Sequence, residues 1–166
     1  MRDEVDELVE SWRRERADLD LAPVEVFSRI SRLSRHLDRA RKQAFAEQKI
    51  ESWEFDVLAA LRRAGEPYEL SPGRLLKQTL VTSGTMTNRV DRLTARGLVE
   101  RLPDPHDRRG VLVRLTTTGR ATVDAAFESL VEREHELLSD LPARDRKQLA
   151  TLLRSLLSPF ADAGGE

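Results

Sequence analysis

The chain has 166 residues, 39% of them hydrophobic and 34% charged, with no cysteine and a net charge of −1. This is too apolar for a disordered chain and fits one helix-rich domain, and the lack of cysteine excludes disulfides, thiolate catalysis and zinc–thiolate sites. No apolar run approaches the roughly 20 residues of a membrane span. The acidic, amphipathic start MRDEVDELVESWRRER is no secretory signal, so a cytoplasmic location is expected.

Residues 3–17 place Val5, Leu8, Val9 and Trp12 at helical spacing on an otherwise charged helix. After DLDLAP a second helix runs from Pro23 to about Ala46. Its stripe is Val26, Ile30, Leu33, Leu37 and Ala44, interleaved with Arg29, Arg32, Arg35 and Arg39. Ser52 reads as the N-cap of a helix carrying Trp53, Val57, Leu58 and Leu61, which ends near Gly65. Ser71-Pro72 begins the next helix, with Leu75 and Leu76. Thr82 or Ser83 caps the helix TSGTMTNRVDRL, in which Met86, Val90 and Leu93 mark the buried face, and Gly97 stops it.

The period then changes. LVERL (98–102) and VLVRL (111–115) read as strands, and the turn formers PDPHDRRG between them make a hairpin. From about Thr118 the helical period returns through Val123, Phe127, Leu130, Val131, Leu137 and Leu138. After DLPARD a last helix carries Leu149, Leu152, Leu153 and Leu156, and the tail ADAGGE is expected to fray.

Charge is unevenly spread along these elements. Residues 71–120 hold ten Lys/Arg against four Asp/Glu, a net of +6, while residues 1–22 and 121–166 each carry a net of −4. A basic centre between acidic ends is the electrostatic footprint of a nucleic-acid-binding module. The three histidines, His36, His106 and His135, are too far apart to suggest a metal site, and no cofactor is expected.

A short helix, a tight turn, a second helix and an arginine-tipped hairpin follow the order of a winged helix-turn-helix. The second helix suits a DNA major groove. Ser83, Thr85, Thr87 and Asn88 are small hydrogen-bonding residues at its N-terminal end, and Arg92 follows one turn later. Arg108 and Arg109 at the hairpin tip suit an adjacent minor groove, with Asp107 fixing the loop. Double-stranded DNA is therefore the expected partner. A winged-helix adaptor that binds protein is the alternative, though it has no use for the tip arginines. An enzyme is disfavoured, because no carboxylate stands beside a recognisable nucleophile and no glycine-rich phosphate loop follows a strand.

The stretch TSGTMTNRVDRLTARGLVERLPDPHDRRGVLVRLTTTG, residues 82–119, resembles the MarR family of transcriptional regulators. The likeness lies in RGLVxR after the recognition helix, then D-x-R in the wing and a closing LT and glycine: Arg96, Arg101, Asp107, Arg109, Leu115, Thr116 and Gly119. It spans about residues 24–158. The resemblance implies a single domain that is mainly α with a small β-hairpin wing. Residues 52–116 would form the winged helix-turn-helix lobe, 23–50 and 118–160 the dimerisation helices, and 1–18 an extra N-terminal helix. It also implies a homodimer on a pseudo-palindromic operator, acting more commonly as a repressor.

Arg89 stands on or beside the buried face of the recognition helix, so a carboxylate partner is expected, and Asp56 on the helix that begins at Ser52, a neighbour in such a lobe, is the candidate. The pair can be read as structural. The resemblance to the urate-responsive branch of the family implies instead an effector site of Trp12, Asp56, Arg89 and Arg101. There a small anion (urate, a related purine, or a citrate-like or aromatic carboxylate) would compete with Asp56 for Arg89. Trp12 can equally pack a dimer, Arg101 can equally meet phosphate, and Trp53 is a second aromatic candidate that also suits the core.

Overall fold

The computed structural model describes residues 2–79 and 81–161, apart from the side chains of Arg108 and Ala161. They form two compact units, the first ending at Leu130 and the second starting at Val131. Seven helices and three strands are present among them: α1 Glu4–Glu15, α2 Ala22–Glu47, α3 Ser52–Arg63, β1 Glu69–Leu70, α4 Pro72–Thr79, α5 Ser83–Ala95, β2 Val99–Asp104, β3 Asp107–Leu115, α6 Thr117–Leu137 and α7 Ala143–Ala161. No described helix is long and apolar enough to cross a membrane.

The core of the first unit is built where apolar faces of α3, α4, α5 and the sheet meet. Leu58, Leu61, Leu75, Met86, Leu93 and Val113 are fully buried there, and the Phe45 and Phe55 rings stack 4.3 Å apart beneath the α2–α3 turn. Each such aliphatic side chain contributes on the order of 1.5–3 kcal/mol. Met86, Val90 and Leu93 are buried at the spacing that the sequence sets, which fixes the outward face of α5.

Three local features differ from the sequence reading. The residue capping α3 is Glu51, whose backbone N–H donates to Glu54 2.8 Å away, and Ser52 is the first residue of the helix. The wing strands run further than 98–102 and 111–115, up to Asp104 and back from Asp107, with a register shift at Pro103/Asp104. The turn formers thus sit largely inside the ladder, and Pro103 is tolerated because β2 is an edge strand in the order β1-β3-β2. The third strand, β1, pairs Leu70 with Val113 and went unpredicted.

Helix α1 docks on α2 through Val5, Val9 and Leu21 and through arginine–carboxylate bonds. Arg29 donates to Asp3 at 2.9 and 3.0 Å and to Asp6 at 2.7 Å, and Arg32 pairs with Glu4 at 2.8 Å. The Arg29 bonds hold the Asp3 carboxyl below its ordinary value of 3.8. A depressed aspartate stabilises the docked state above that value and loses its contribution as pH falls through the lower, folded one. The protection of α1 amides, measured relative to their intrinsic exchange at each pH, should therefore fall below about pH 3.8, and Asp3→Asn should lower it in the same way at neutral pH. Exchange indifferent to both changes would mean that the apolar contacts alone hold α1.

In the second unit α7 has no buried residue among those whose side chains are described. Leu152, Leu156, Leu157 and Phe160 lie exposed along it.

Candidate nucleic-acid interface

Helix α5 starts at a side-chain cap, with Thr82 accepting the Thr85 N–H. Ser83, Thr85, Thr87 and Asn88 are exposed on its first turns. The Thr82 and Thr85 hydroxyls bond each other at 2.9 Å, and the Thr87 hydroxyl donates back to the Ser83 carbonyl at 3.2 Å. These short local bonds keep the helix start compact and leave acceptor lone pairs, and the whole Asn88 amide, facing outward. The helix ends at Gly97, whose φ of 68° is the left-handed conformation that terminates a helix, and Leu98 N–H returns to the Leu93 carbonyl. In the wing, Asp107 fixes the loop by accepting the Arg109 backbone N–H at 2.9 Å, and Arg109 is exposed. The Arg108 side chain lies outside the described residues.

Arg89, Arg92 and Arg96 fall at i, i+3 and i+7 and share one side of α5, facing the start of α3. Arg96 donates to both oxygens of Glu54 at 2.6 Å and to the Lys49 carbonyl at 2.7 Å. Glu54 is only 1% exposed, the one buried charged side chain among the described residues. Arg92 bonds Glu51 at 3.0 Å and lies over the Trp53 ring, 4.7 Å from its centroid. Arg89 lies over the same ring at 5.4 Å. The Trp53 indole N–H donates to the second Glu51 oxygen at 2.8 Å. That bond first, and the Arg92 guanidinium after it, hold the Glu51 carboxyl below the usual carboxylate range.

The expected Asp56–Arg89 pair is absent from the described residues. Asp56 pairs with Arg41 of α2 at 3.3 Å, and the half-buried Arg89 rests on an aromatic ring. The cause is rotation about α3. Residues two apart point to nearly opposite sides of a helix, so with Glu54 turned toward α5, Asp56 is turned away toward α2. An ion pair from α3 does lock the recognition helix, but through Glu54 and Arg96.

The four expected effector residues do not converge within the first unit. Trp12 lines an open pocket of about 420 Å³ with Glu4, Glu7, Leu8, Ser11, Glu15 and Arg32. Arg101 is paired with Asp91 of α5, tying the wing to that helix. Arg89 lines a second open pocket, of about 570 Å³, with Glu51, Trp53, Gly84, Thr85, Asn88 and Arg92. Sequence reasoning passed over Glu51 and Glu54. The matching signal was there: acids three apart at the start of one helix, and arginines at 92 and 96 near the end of another.

An exposed polar helix start set on a buried apolar face, with a twisted hairpin beside it, makes this a winged helix-turn-helix DNA-binding protein. A model of the MarR family matches residues 48–110. The HTH-type transcriptional regulator PecS of Dickeya dadantii is 39% identical over 150 residues, covering 90% of each chain. Among solved structures, a mutant of Escherichia coli MarR complexed with operator DNA is 32% identical. It superposes with a TM-score of 0.68 over 82% of this chain and 96% of that one. BpsR of Bordetella bronchiseptica, whose DNA binding is regulated by 6-hydroxynicotinic acid, is 31% identical with a TM-score of 0.63, over 79% of this chain and 91% of that one. The chain belongs to the MarR family, whose members are transcriptional regulators and not enzymes.

Proposed function

We propose that the protein is a cytoplasmic, ligand-responsive repressor. It binds a pseudo-palindromic operator as a homodimer and is released by a small anion. The observation that carries the DNA reading is the exposed start of α5, with Ser83, Thr85, Thr87 and Asn88 turned outward on the helix that also carries the exposed Arg92. In this reading those four residues meet base edges and phosphates, Arg92 meets phosphate, and Arg108 and Arg109 enter the neighbouring minor groove. Arg109→Ala is expected to weaken binding to every duplex and to lower the salt slope by about 0.9, because one cation fewer displaces counterions from the DNA. Unchanged binding in a salt titration would remove the wing from the interface.

A dimer is supported by two uncovered apolar stripes, one in each unit. Val26, Phe27, Ile30 and Leu33 are exposed on α2, and Leu152, Leu156, Leu157 and Phe160 on α7. A helix of 19 residues without a buried side chain among those described is marginal in water, and a second copy of the chain gives it a surface to pack on.

The effector reading centres on Arg89. A guanidinium held by a ring and by no carboxylate among the described residues is free to bind an incoming carboxylate or urate anion, with Trp53 as the stacking surface. Trp12, Asp56 and Arg101 belong to the proposed site only if assembly or ligand binding brings them to it. A planar anion such as the one that regulates BpsR, or urate as in the branch that the sequence resembles, would shift Arg89 and with it the helix. The deciding experiment is fluorescence anisotropy on an operator selected by the wild-type protein, with urate and with citrate, at fixed salt. Release of wild type by one of them and indifference of Arg89→Ala are expected. Failure of both ligands to act on wild type would overturn the effector reading and leave a DNA-binding regulator with no response to these anions.

A further inference from the structure

Arg92 is the arginine of α5 that is both well exposed and already engaged. Its guanidinium shares one oxygen of Glu51 and the face of Trp53, while the other Glu51 oxygen is held by the indole N–H. The Arg92 side chain is 53% exposed and that of Glu51 61%, so the pair stands in water and is readily exchanged. It also stands at the DNA-facing surface, because Thr85 and Asn88 line the same open pocket.

We propose that Glu51 and Trp53 set the discrimination between operator and bulk DNA: Trp53 positions Arg89 and Arg92, and Glu51 withholds Arg92 from phosphate until the recognition helix is seated. An arginine free on a DNA-facing surface binds any duplex, since releasing counterions from a phosphate requires no particular sequence. Glu51 removes that indiscriminate gain. Over random DNA the helix is loosely placed, the Glu51–Arg92 pair stays closed and one phosphate contact is forgone. On the operator, base contacts from the start of α5 bring a phosphate to Arg92 at bonding distance, and the phosphate replaces the carboxylate. Trp53 serves both states, because its face holds the guanidinium planes parallel to the ring whichever anion they meet.

The inference rests on the DNA-binding reading above, and the test separates the two. Full-length wild type, Glu51→Gln, Trp53→Phe and Trp53→Ala are titrated on two duplexes of equal length over 50–200 mM salt, a range in which phosphate contacts are readily counted. One duplex is selected from a random pool by the wild-type protein and the other is of random sequence. Glu51→Gln keeps an acceptor for the indole N–H but loses the charge. It is expected to bind the random duplex several-fold tighter, with a salt slope steeper by about 0.9, and to gain less on the operator, so that specificity falls. Trp53→Phe keeps a ring but frees Glu51 and should lie between. Trp53→Ala should lose operator affinity. Thermal melts of the same variants isolate any loss of fold, which lowers affinity for both duplexes without steepening a slope. The proposal is overturned if Glu51→Gln leaves specificity and slope unchanged, or if Trp53→Phe and Trp53→Ala both behave as wild type. A wild-type protein that selects no sequence overturns the operator reading and this inference together.

Discussion

Gly119→Ala is expected to destabilise the first unit by about 3 kcal/mol, the upper end of what overpacking costs. A Cβ at position 119 would lie 1.9 Å from the Leu98 carbonyl oxygen and 2.8 Å from its carbon. Neither atom can yield easily. The Leu98 carbonyl accepts Thr116 N–H at 3.2 Å, and Leu98 N–H is bonded to Leu93, so movement there would open the end of the recognition helix. The first turn of α6 is pinned just as firmly. Thr116 donates its hydroxyl to the Gly97 carbonyl at 2.7 Å and accepts Gly119 N–H at 3.0 Å. Alanine does favour a helix over glycine by up to about 1 kcal/mol, and a clash with backbone exceeds that gain. Urea denaturation measures the effect, and an unchanged midpoint would refute the close approach.

Arg96→Met ranks second, with an expected cost of about 3 kcal/mol, near the lower end for breaking a buried pair. The lower end applies because Arg96 itself is 40% exposed, while Glu54 has almost no access to water. Without the guanidinium the buried carboxylate keeps the Glu51 N–H, which cannot balance its charge. Arg96→Lys should recover only part of the loss, since an ammonium cannot span both Glu54 oxygens and the Lys49 carbonyl as the planar fork does. Adding Glu54→Gln to Arg96→Met removes the stranded charge, so the double variant should be more stable than the sum of the single losses predicts. Strict additivity in that cycle would show that the two side chains act independently.

These two sites illustrate what the sequence makes legible. The order of elements, the buried face Met86–Val90–Leu93, the stop at Gly97 and the wing all follow from local rules, because periodicity and caps are properties of neighbouring residues. β1 escaped because two residues cannot carry a period, and its pairing with β3 is visible only after folding. The ends of the wing strands were obscured by turn formers that the ladder absorbs at its edge. The partner of Arg89 was misjudged for a different reason. Which carboxylate meets which arginine depends on how far α3 is rotated about its axis, and a turn of about 100° per residue separates Asp56 from Glu54. Trp12 is a different case. At i+7 from Val5 it shares the face of Val5 and Val9, yet it is 51% exposed, because periodicity sets the side of a helix and not how far along it the neighbouring helix covers.

The anchoring of α5 divides the labour along a single helix. Its charged contacts with the start of α3 come from the middle of the helix onward, at Arg89, Arg92 and Arg96, and the inward side chains are apolar. Ser83, Thr85, Thr87 and Asn88 face outward and hold nothing but their own turn. Substitutions there encounter no core to disturb, so under the proposed DNA reading a gene duplicate would acquire a new target site by exchanging four surface residues while inheriting the scaffold whole. Arg96 at the anchored end has no such freedom, because its loss leaves the buried Glu54 stranded. The helix is in that sense a replaceable reading head on a fixed mount, and divergence among such proteins should accumulate at its first turns.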